Sequence, residues 1–302
     1  MVYNMKNILV LGGTRFFGRK LVEKLLEEGH NVTIMTRGQS GNPFGDKVEH
    51  IVVNRQDKEA LANAVAGRTY DIVYDNICYS PNEAKQFCDV FNGKVKKLVF
   101  TSTLSTYEAN GTPHKEEDFN PYTYKIHMGD TNEFTYGEGK RQAEAVFFKY
   151  AKFPVVAVRF PIVMGEDDYT KRLHFHVEHI LKEEPMGFVN MNAEMSFILA
   201  SEAAAFLYFG GMENIEGPYN ATSHGTIALN DLIKLIEKKT NKRAKISLLD
   251  DAPNRSPYAI PNSWYMLPTK AEQAGFQFTN LKSWLETLVE HIVIDMQTST
   301  EE

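Results

Sequence analysis

The chain has 302 residues, 43% apolar and 24% charged, which is enough for one large α/β domain with a smaller one appended. Its 33 basic and 39 acidic residues leave a net charge of −6 with no basic block, so non-specific nucleic-acid binding is disfavoured. Residues 1–6 read straight into a strand pattern rather than a signal peptide, and no apolar run reaches the roughly 18 residues of a membrane span; the two cysteines, Cys78 and Cys88, suit a reducing, cytoplasmic compartment.

Asn7–Leu11 (NILVL) is a short continuous apolar run, the pattern of a strand buried on both faces. It enters Gly12-Gly13-Thr14-Arg15-Phe16-Phe17-Gly18 and then a helix to Glu28, with Gly29 as its C-cap. Strands follow at Val32–Met35 and Val48–Val53, a helix at Asp57–Ala66, and a fourth strand at Asp71–Asn76. Ser80-Pro81-Asn82-Glu83 reads as a capping box that starts a helix. Lys97–Thr101 is a fifth strand, residues 105–135 a long polar and aromatic connection, and Val155–Arg159 a sixth strand after the helix at Tyr136. Strands alternating with helices predict a doubly wound parallel sheet, a Rossmann α/β fold, over residues 1–165. Residues 166–302 are expected to form mainly a smaller, C-terminal substrate lobe, with elements around 196–240 returning to the first domain; helical stretches fall at 171–184, 200–210, 229–240, 270–274 and 281–289.

Two places carry chemistry. At the first, glycines between a buried strand and a helix let backbone approach a pyrophosphate, which the helix N-terminus attracts. The spacing is nearer GxxGxxG than GxGxxG, with Arg15 at the middle glycine. An acid at the end of the second strand would bind the ribose 2′-hydroxyl of NAD. Thr36-Arg37-Gly38 stands there instead, so Arg37 and Arg15 predict NADP, with NAD as the alternative. The second place is Tyr136-Gly137-Glu138-Gly139-Lys140. Residues four apart share a helix face, at about 5–6 Å between Cβ atoms. A lysine ammonium that close favours the phenolate, which makes Tyr136 a general acid/base candidate.

Together these motifs resemble the extended short-chain dehydrogenase/reductase superfamily, in its NAD(P)-dependent epimerase/dehydratase branch, over nearly the whole chain. GGTRFFG resembles the family's glycine motif, and Asn54 falls where it places a polar residue near the adenine. Phe100-Thr101-Ser102-Thr103 resembles the strand whose last hydroxyl is catalytic, and Tyr136 and Lys140 match its Tyr-x-x-x-Lys pair, followed by Glu144. Arg159-Phe160-Pro161-Ile162-Val163-Met164-Gly165 resembles the segment beside the nicotinamide; Phe197-Ile198 with Glu202, then Gly217-Pro218-Tyr219-Asn220, resemble later landmarks. The resemblance implies that Tyr136 is the acid/base, that Lys140 supports it and holds the nicotinamide ribose, and that Thr103 hydrogen-bonds the reacting oxygen. Gly12 to Gly18, Thr36, Arg37, Asn54, Asn76, Phe160, Ile162 and Val163 join Tyr136 and Lys140 as the expected cofactor-binding set. It also implies a small-molecule substrate, with sugar nucleotides as one class, no membrane, and a homodimer as one assembly.

Departures narrow the reaction. Leu104 and Ser105 replace the Asp-Glu pair of sugar 4,6-dehydratases, and the cysteine and histidine of a 3,5-epimerase-reductase are absent near Thr103. Ile162 stands where sugar-nucleotide enzymes often carry asparagine, and Ala193-Glu194-Met195-Ser196 where they carry an arginine. GGTRFFG and TRG are also similar to the chloroplast stem-loop RNA-binding branch of the superfamily. The alternative function is therefore a non-catalytic nucleotide sensor or RNA-binding Rossmann protein. His174, His176 and His179 have a spacing that can bind metal but lack partner motifs, so no metal is expected. Phe119, Tyr122, Tyr124 and Phe134 suit a substrate lid or surface packing equally.

Overall fold

The computed structural model describes residues 5–247 and 254–298. Seven parallel strands form the central sheet: β1 (Asn7–Leu11), β2 (Asn31–Thr36), β3 (Glu49–Val52), β4 (Ile72–Asp75), β5 (Leu98–Thr103), β6 (Val155–Phe160) and β7 (Gly217–Asn220). Their order is β7-β6-β5-β4-β1-β2-β3, with Ile8 opposite both Val32 and Ile72, and Leu98 opposite Val155. The chain reverses direction across the sheet between β1 and β4, which opens a crevice beyond their carboxyl ends.

Side-chain alternation along each strand loads both faces. Ile8, Val10, Ile34, Ile72 and Val99 pack under α1 (Phe16–Glu27) and α6 (Ala200–Met212), in a cluster that the short α8 (Thr269–Gln273) joins through Ala271. Leu9, Leu11, Val73, Leu98 and Phe100 pack under α2 (Lys58–Ala64), α3 (Pro81–Phe91) and α4 (Tyr136–Tyr150). A separate apolar cluster gathers α5 (Arg172–Leu181), α7 (Leu229–Thr240) and α9 (Leu281–Thr298).

Several expectations need correction. Gly217–Asn220, read as a motif only, is the seventh strand, and the short pair Ile162–Met164 with Phe197–Leu199 was also missed; runs of three or four residues carry too little periodicity to read. The last helix runs to Thr298, well past Val289. The capping box at Ser80 is half made: Ser80 Oγ accepts from Glu83 N at 3.3 Å, but the Glu83 carboxylate accepts from Tyr79 N at 2.6 Å and from Gln56 Nε2 at 2.8 Å. The long connection is packed rather than a lid. Phe119 is buried, edge-on to Tyr124 at 5.0 Å, while Tyr122 lies on Phe148 at 4.7 Å.

What locks the connection down is Arg159, fully buried on β6. Its Nε and Nη2 donate to the Glu144 carboxylate at 3.0 and 2.6 Å. Nη1 donates to Tyr107 Oη at 2.8 Å and Glu116 O at 2.9 Å, and Nη2 also to Phe119 O at 3.1 Å. Tyr107 Oη donates a hydrogen bond to Asn220 Oδ1 on β7 at 2.7 Å. Replacing Arg159 leaves a buried carboxylate and two carbonyls without their donor, so Arg159→Met should lower unfolding free energy by about 3–5 kcal/mol in urea titrations. A loss under about 1 kcal/mol would show that the network does not hold this end of the sheet.

Candidate active site

β1 ends in the glycine turn. Gly12 has φ +80°, and a Cβ on Gly18 would lie 2.3 Å from Gly12 O, so the first turn of α1 sits directly on the turn's backbone. No side chain caps α1, whose first N–H groups are left at the floor of a cleft of about 440 Å³. Thr14, Arg15, Phe16, Phe17, Thr36, Arg37, Asn54 and Asn76 also line it, so most of the expected cofactor set converges from the ends of β1, β2, β3 and β4. Gly13 lies behind, where a Cβ would press on Val22 and Val10. A wider depression of about 620 Å³ lies around Asn7, His30, Thr33 and Glu49, at the amino ends of β1 to β3. That is the wrong end of the strands for a dinucleotide.

Asn76 carries a polar atom with no protein partner. Its Oδ1 accepts from Thr101 Oγ1 at 2.7 Å, but its buried Nδ2 makes no hydrogen bond among the described residues. A buried amide donor beside a glycine cradle fits a phosphate- or ribose-bearing cofactor.

α4 brings the second group. Tyr136 is its first residue and 54% exposed, while Lys140 one turn on is 1% exposed. Thr135 caps the helix by accepting from Glu138 N at 3.3 Å. The two glycines of the motif are contact points: a Cβ at Gly137 would lie 2.3 Å from Ser105 O, and at Gly139 2.4 Å from Tyr79 O. Lys140 Nζ donates to Thr101 O at 2.8 Å, with the rings of Tyr79, Phe100 and Tyr136 at 4.6, 4.9 and 5.9 Å. Aromatic faces and one carbonyl, with no carboxylate, hold the buried ammonium, and two of its donors stay unused among the described residues. Thr103 is buried at the end of β5, and its Oγ1 accepts from Ser105 N at 3.1 Å, which leaves its own proton to donate.

Lys140 and Tyr136 stand together beyond Tyr79, outside the cleft lining, and Thr103 joins this end through Ser105, whose N donates to its Oγ1 and whose carbonyl lies against Gly137. Phe160 and Val163 are buried and Ile162 half-buried; they back the cleft, with Phe160 on Phe17 at 5.8 Å, and do not line it.

Sequence reasoning passed over three cleft residues. Tyr79 separates the cleft from Tyr136, with ring centroids 6.4 Å apart, and burial pushes its phenol above the usual range. Arg55, next to Asn54, is buried against Asp75, with Nη1 2.7 Å from both carboxylate oxygens. Tyr169 crosses from the segment before α5. The position of Tyr79 and Arg55 just past strand ends was the available signal. The three histidines do not converge: His174 Nε2 is 3.0 Å from Glu166 O, His176 Nε2 2.7 Å from Ser256 Oγ, and His179 Nδ1 2.8 Å from Phe175 O. Burial pushes the His176 imidazole down to about 3. Among the described residues no group of three His, Cys, Asp or Glu could hold a metal.

The close contact at Gly18 makes a sharp test. An added methyl there meets backbone, an overpacking cost of about 1–3 kcal/mol, so Gly18→Ala should weaken NADPH binding about tenfold or more in a fluorescence titration. Wild-type affinity in a folded Gly18→Ala variant would remove the turn from the binding site.

Comparison with known proteins agrees with this geometry. Residues 12–178 match the model of the NAD(P)H-binding family. The chain is 30% identical over 127 residues to the chloroplast stem-loop binding protein of 41 kDa b from Arabidopsis thaliana, covering 37% of this chain and 33% of that protein. It is 24% identical over 276 residues to UDP-glucuronic acid decarboxylase 1 from Danio rerio, covering 82% of this chain and 64% of that one. The chain thus spans from a third to just under two thirds of the length of these curated relatives. Among solved structures, UDP-N-acetylglucosamine 4-epimerase from Methanobrevibacter ruminantium M1, in complex with UDP-N-acetylmuramic acid, superposes with a TM-score of 0.75 at 19% identity, covering 98% of this chain and 99% of that one. That likeness is one of fold, and no helix among the described residues is long and apolar enough to cross a membrane. With a matched segment that runs from the glycine turn through α4 into α5, the chain belongs to the NAD(P)H-binding family, on a Rossmann fold.

Proposed function

We propose that the protein is an NADP-preferring oxidoreductase or epimerase acting at a substrate hydroxyl or carbonyl, with Tyr136 as acid/base. The observation that carries this reading is a buried Lys140 beneath an exposed Tyr136, both against Tyr79, which lines the glycine cleft. A protein that only bound nucleotide would have no use for a buried ammonium set under an exposed phenol.

The glycine turn and the first N–H groups of α1 hold the pyrophosphate, Asn76 Nδ2 and Lys140 Nζ offer donors toward the ribose, and Arg37 with Arg15 holds a 2′-phosphate. When bound, the nicotinamide supplies hydride transfer. Tyr136 gives or takes the proton of the substrate oxygen at its hydroxyl, and Thr103 donates to the same oxygen through the proton that Ser105 N leaves free. Residues 1–165 carry these groups, and residues 166–302 mainly bind the rest of the substrate. Sugar nucleotides are the first substrates to test, given the relatives' names. In this chain, however, no arginine stands in 193–196, and the buried Ser196 Oγ accepts from Met266 N at 3.4 Å. The buried free thiols Cys78 and Cys88 fit a cytoplasmic setting.

Cofactor choice is tested by titrating NADPH and NADH. NADPH should bind more tightly, and Arg37→Asp should reverse the order; equal affinities, or an order that Arg37→Asp does not move, would remove Arg37 as the discriminator. Turnover is tested by screening sugar nucleotides and simple alcohols with the preferred cofactor. Tyr136→Phe should lower kcat about 10²–10⁴-fold and leave cofactor affinity intact, because it removes one exposed hydroxyl. A variant with wild-type kcat would reduce Tyr136 and Lys140 to neighbours on a helix.

A further inference from the structure

The segment between Gly165 and α5 reaches back over the cofactor cleft. Asp168 Oδ1 accepts from Thr170 N at 2.9 Å and Thr170 Oγ1 at 2.6 Å, and Asp168 N donates to Gly165 O at 3.3 Å, so the loop is braced within itself. It touches the start of α1 at three points. Asp167 is 3.7 Å from Lys20 Nζ. A Cβ on Gly165 would lie 2.9 Å from the Phe16 ring, so only glycine admits that ring without a shift. Tyr169 stands edge-on to Phe16 at 6.3 Å and 89°, with the Arg15 guanidinium 5.9 Å from its ring centre.

Three features suggest that these contacts await a ligand. Tyr169 is 59% exposed although it lines the cleft. Phe16 holds φ +51°, a left-handed conformation that is costly for a bulky residue and persists only where neighbours impose it. Arg15, one residue earlier, carries a guanidinium that meets no carboxylate among the described residues.

We infer that Tyr169 is a further cofactor-contacting residue, closing the cleft with Arg15 as a clasp that slows release of the dinucleotide. The inference rests on the cofactor reading proposed above. Because residues 165–171 run directly into α5, the clasp also joins the cofactor cleft to the apolar cluster that α5 shares with α7 and α9. An aromatic ring under a guanidinium would present a flat, cationic flank to a bound dinucleotide and exclude water from it.

The test needs no substrate. Protein loaded with NADPH is diluted into excess NADP⁺ in a stopped-flow instrument, and nicotinamide fluorescence reports release. Tyr169→Ala should release NADPH about tenfold faster with association changed less than about twofold, because contacts formed after encounter act on the off-rate. Tyr169→Phe keeps the ring and should stay within about threefold of wild type. Release from Tyr169→Ala at the wild-type rate, or from Tyr169→Phe as fast as from Tyr169→Ala, overturns the clasp while the cofactor reading stands. A wild-type chain that retains neither NADPH nor NADH overturns both.

Discussion

The ion pair of Arg159 with Glu144 is the interaction on which the rest of the site depends. Both side chains are fully buried, so each would be costly alone; the desolvation is offset because all the guanidinium donors are used and the carboxylate also accepts from Ser102 Oγ. Those bonds draw together β5, β6, α4 and the long connection, and through Tyr107 they reach β7. Glu144 lies two turns along α4 from Tyr136. A pair that fixes the helix against β5 and β6 therefore sets how deep Lys140 goes and how far Tyr136 stands out.

A second buried pair does the same work at the other end of the cleft. Arg55 on the segment after β3 clamps Asp75 at the end of β4, and its Nη2 donates to Glu83 O at 3.2 Å on α3. Asp75 Oδ1 also accepts from Ile77 N at 3.1 Å, which shapes the loop that carries Asn76 and Tyr79. The cleft thus runs between two rigid polar anchors, and its lining atoms need little reorganisation to receive a ligand. Lys140 differs from both arginines. Among the described residues it meets no carboxylate, only a carbonyl and aromatic faces, so its charge remains available to the space beside Tyr136.

Residue type and spacing left several points open that packing decides. Histidines spaced like ligands turned out to be bonded one by one to backbone and to Ser256. Of the aromatics that suited a lid or surface packing equally, Phe119 is core, held where Arg159 bonds Phe119 O and Glu116 O, while Tyr124 and Phe134 are half-buried and Tyr122 is exposed against Phe148. Glu83 has the spacing of a capping box, yet its carboxylate reaches Tyr79 N and Gln56, since partners from another strand end came within range.

The sequence by itself determined the strand–helix alternation, the doubly buried strands, the glycine turn after β1 and the one-turn spacing of Tyr136 and Lys140. Each of these is local: it depends on residues within a few positions of one another, through side-chain period, backbone freedom and capping. The tertiary structure alone decided that Arg159 would find Glu144, that Arg55 would find Asp75, that Gly217–Asn220 would extend the sheet, and that Tyr169 would reach Arg15. These contacts join positions from 15 to more than 150 residues apart, and no periodicity records them, because a buried charge or a short edge strand is defined by which surfaces meet when the sheet closes.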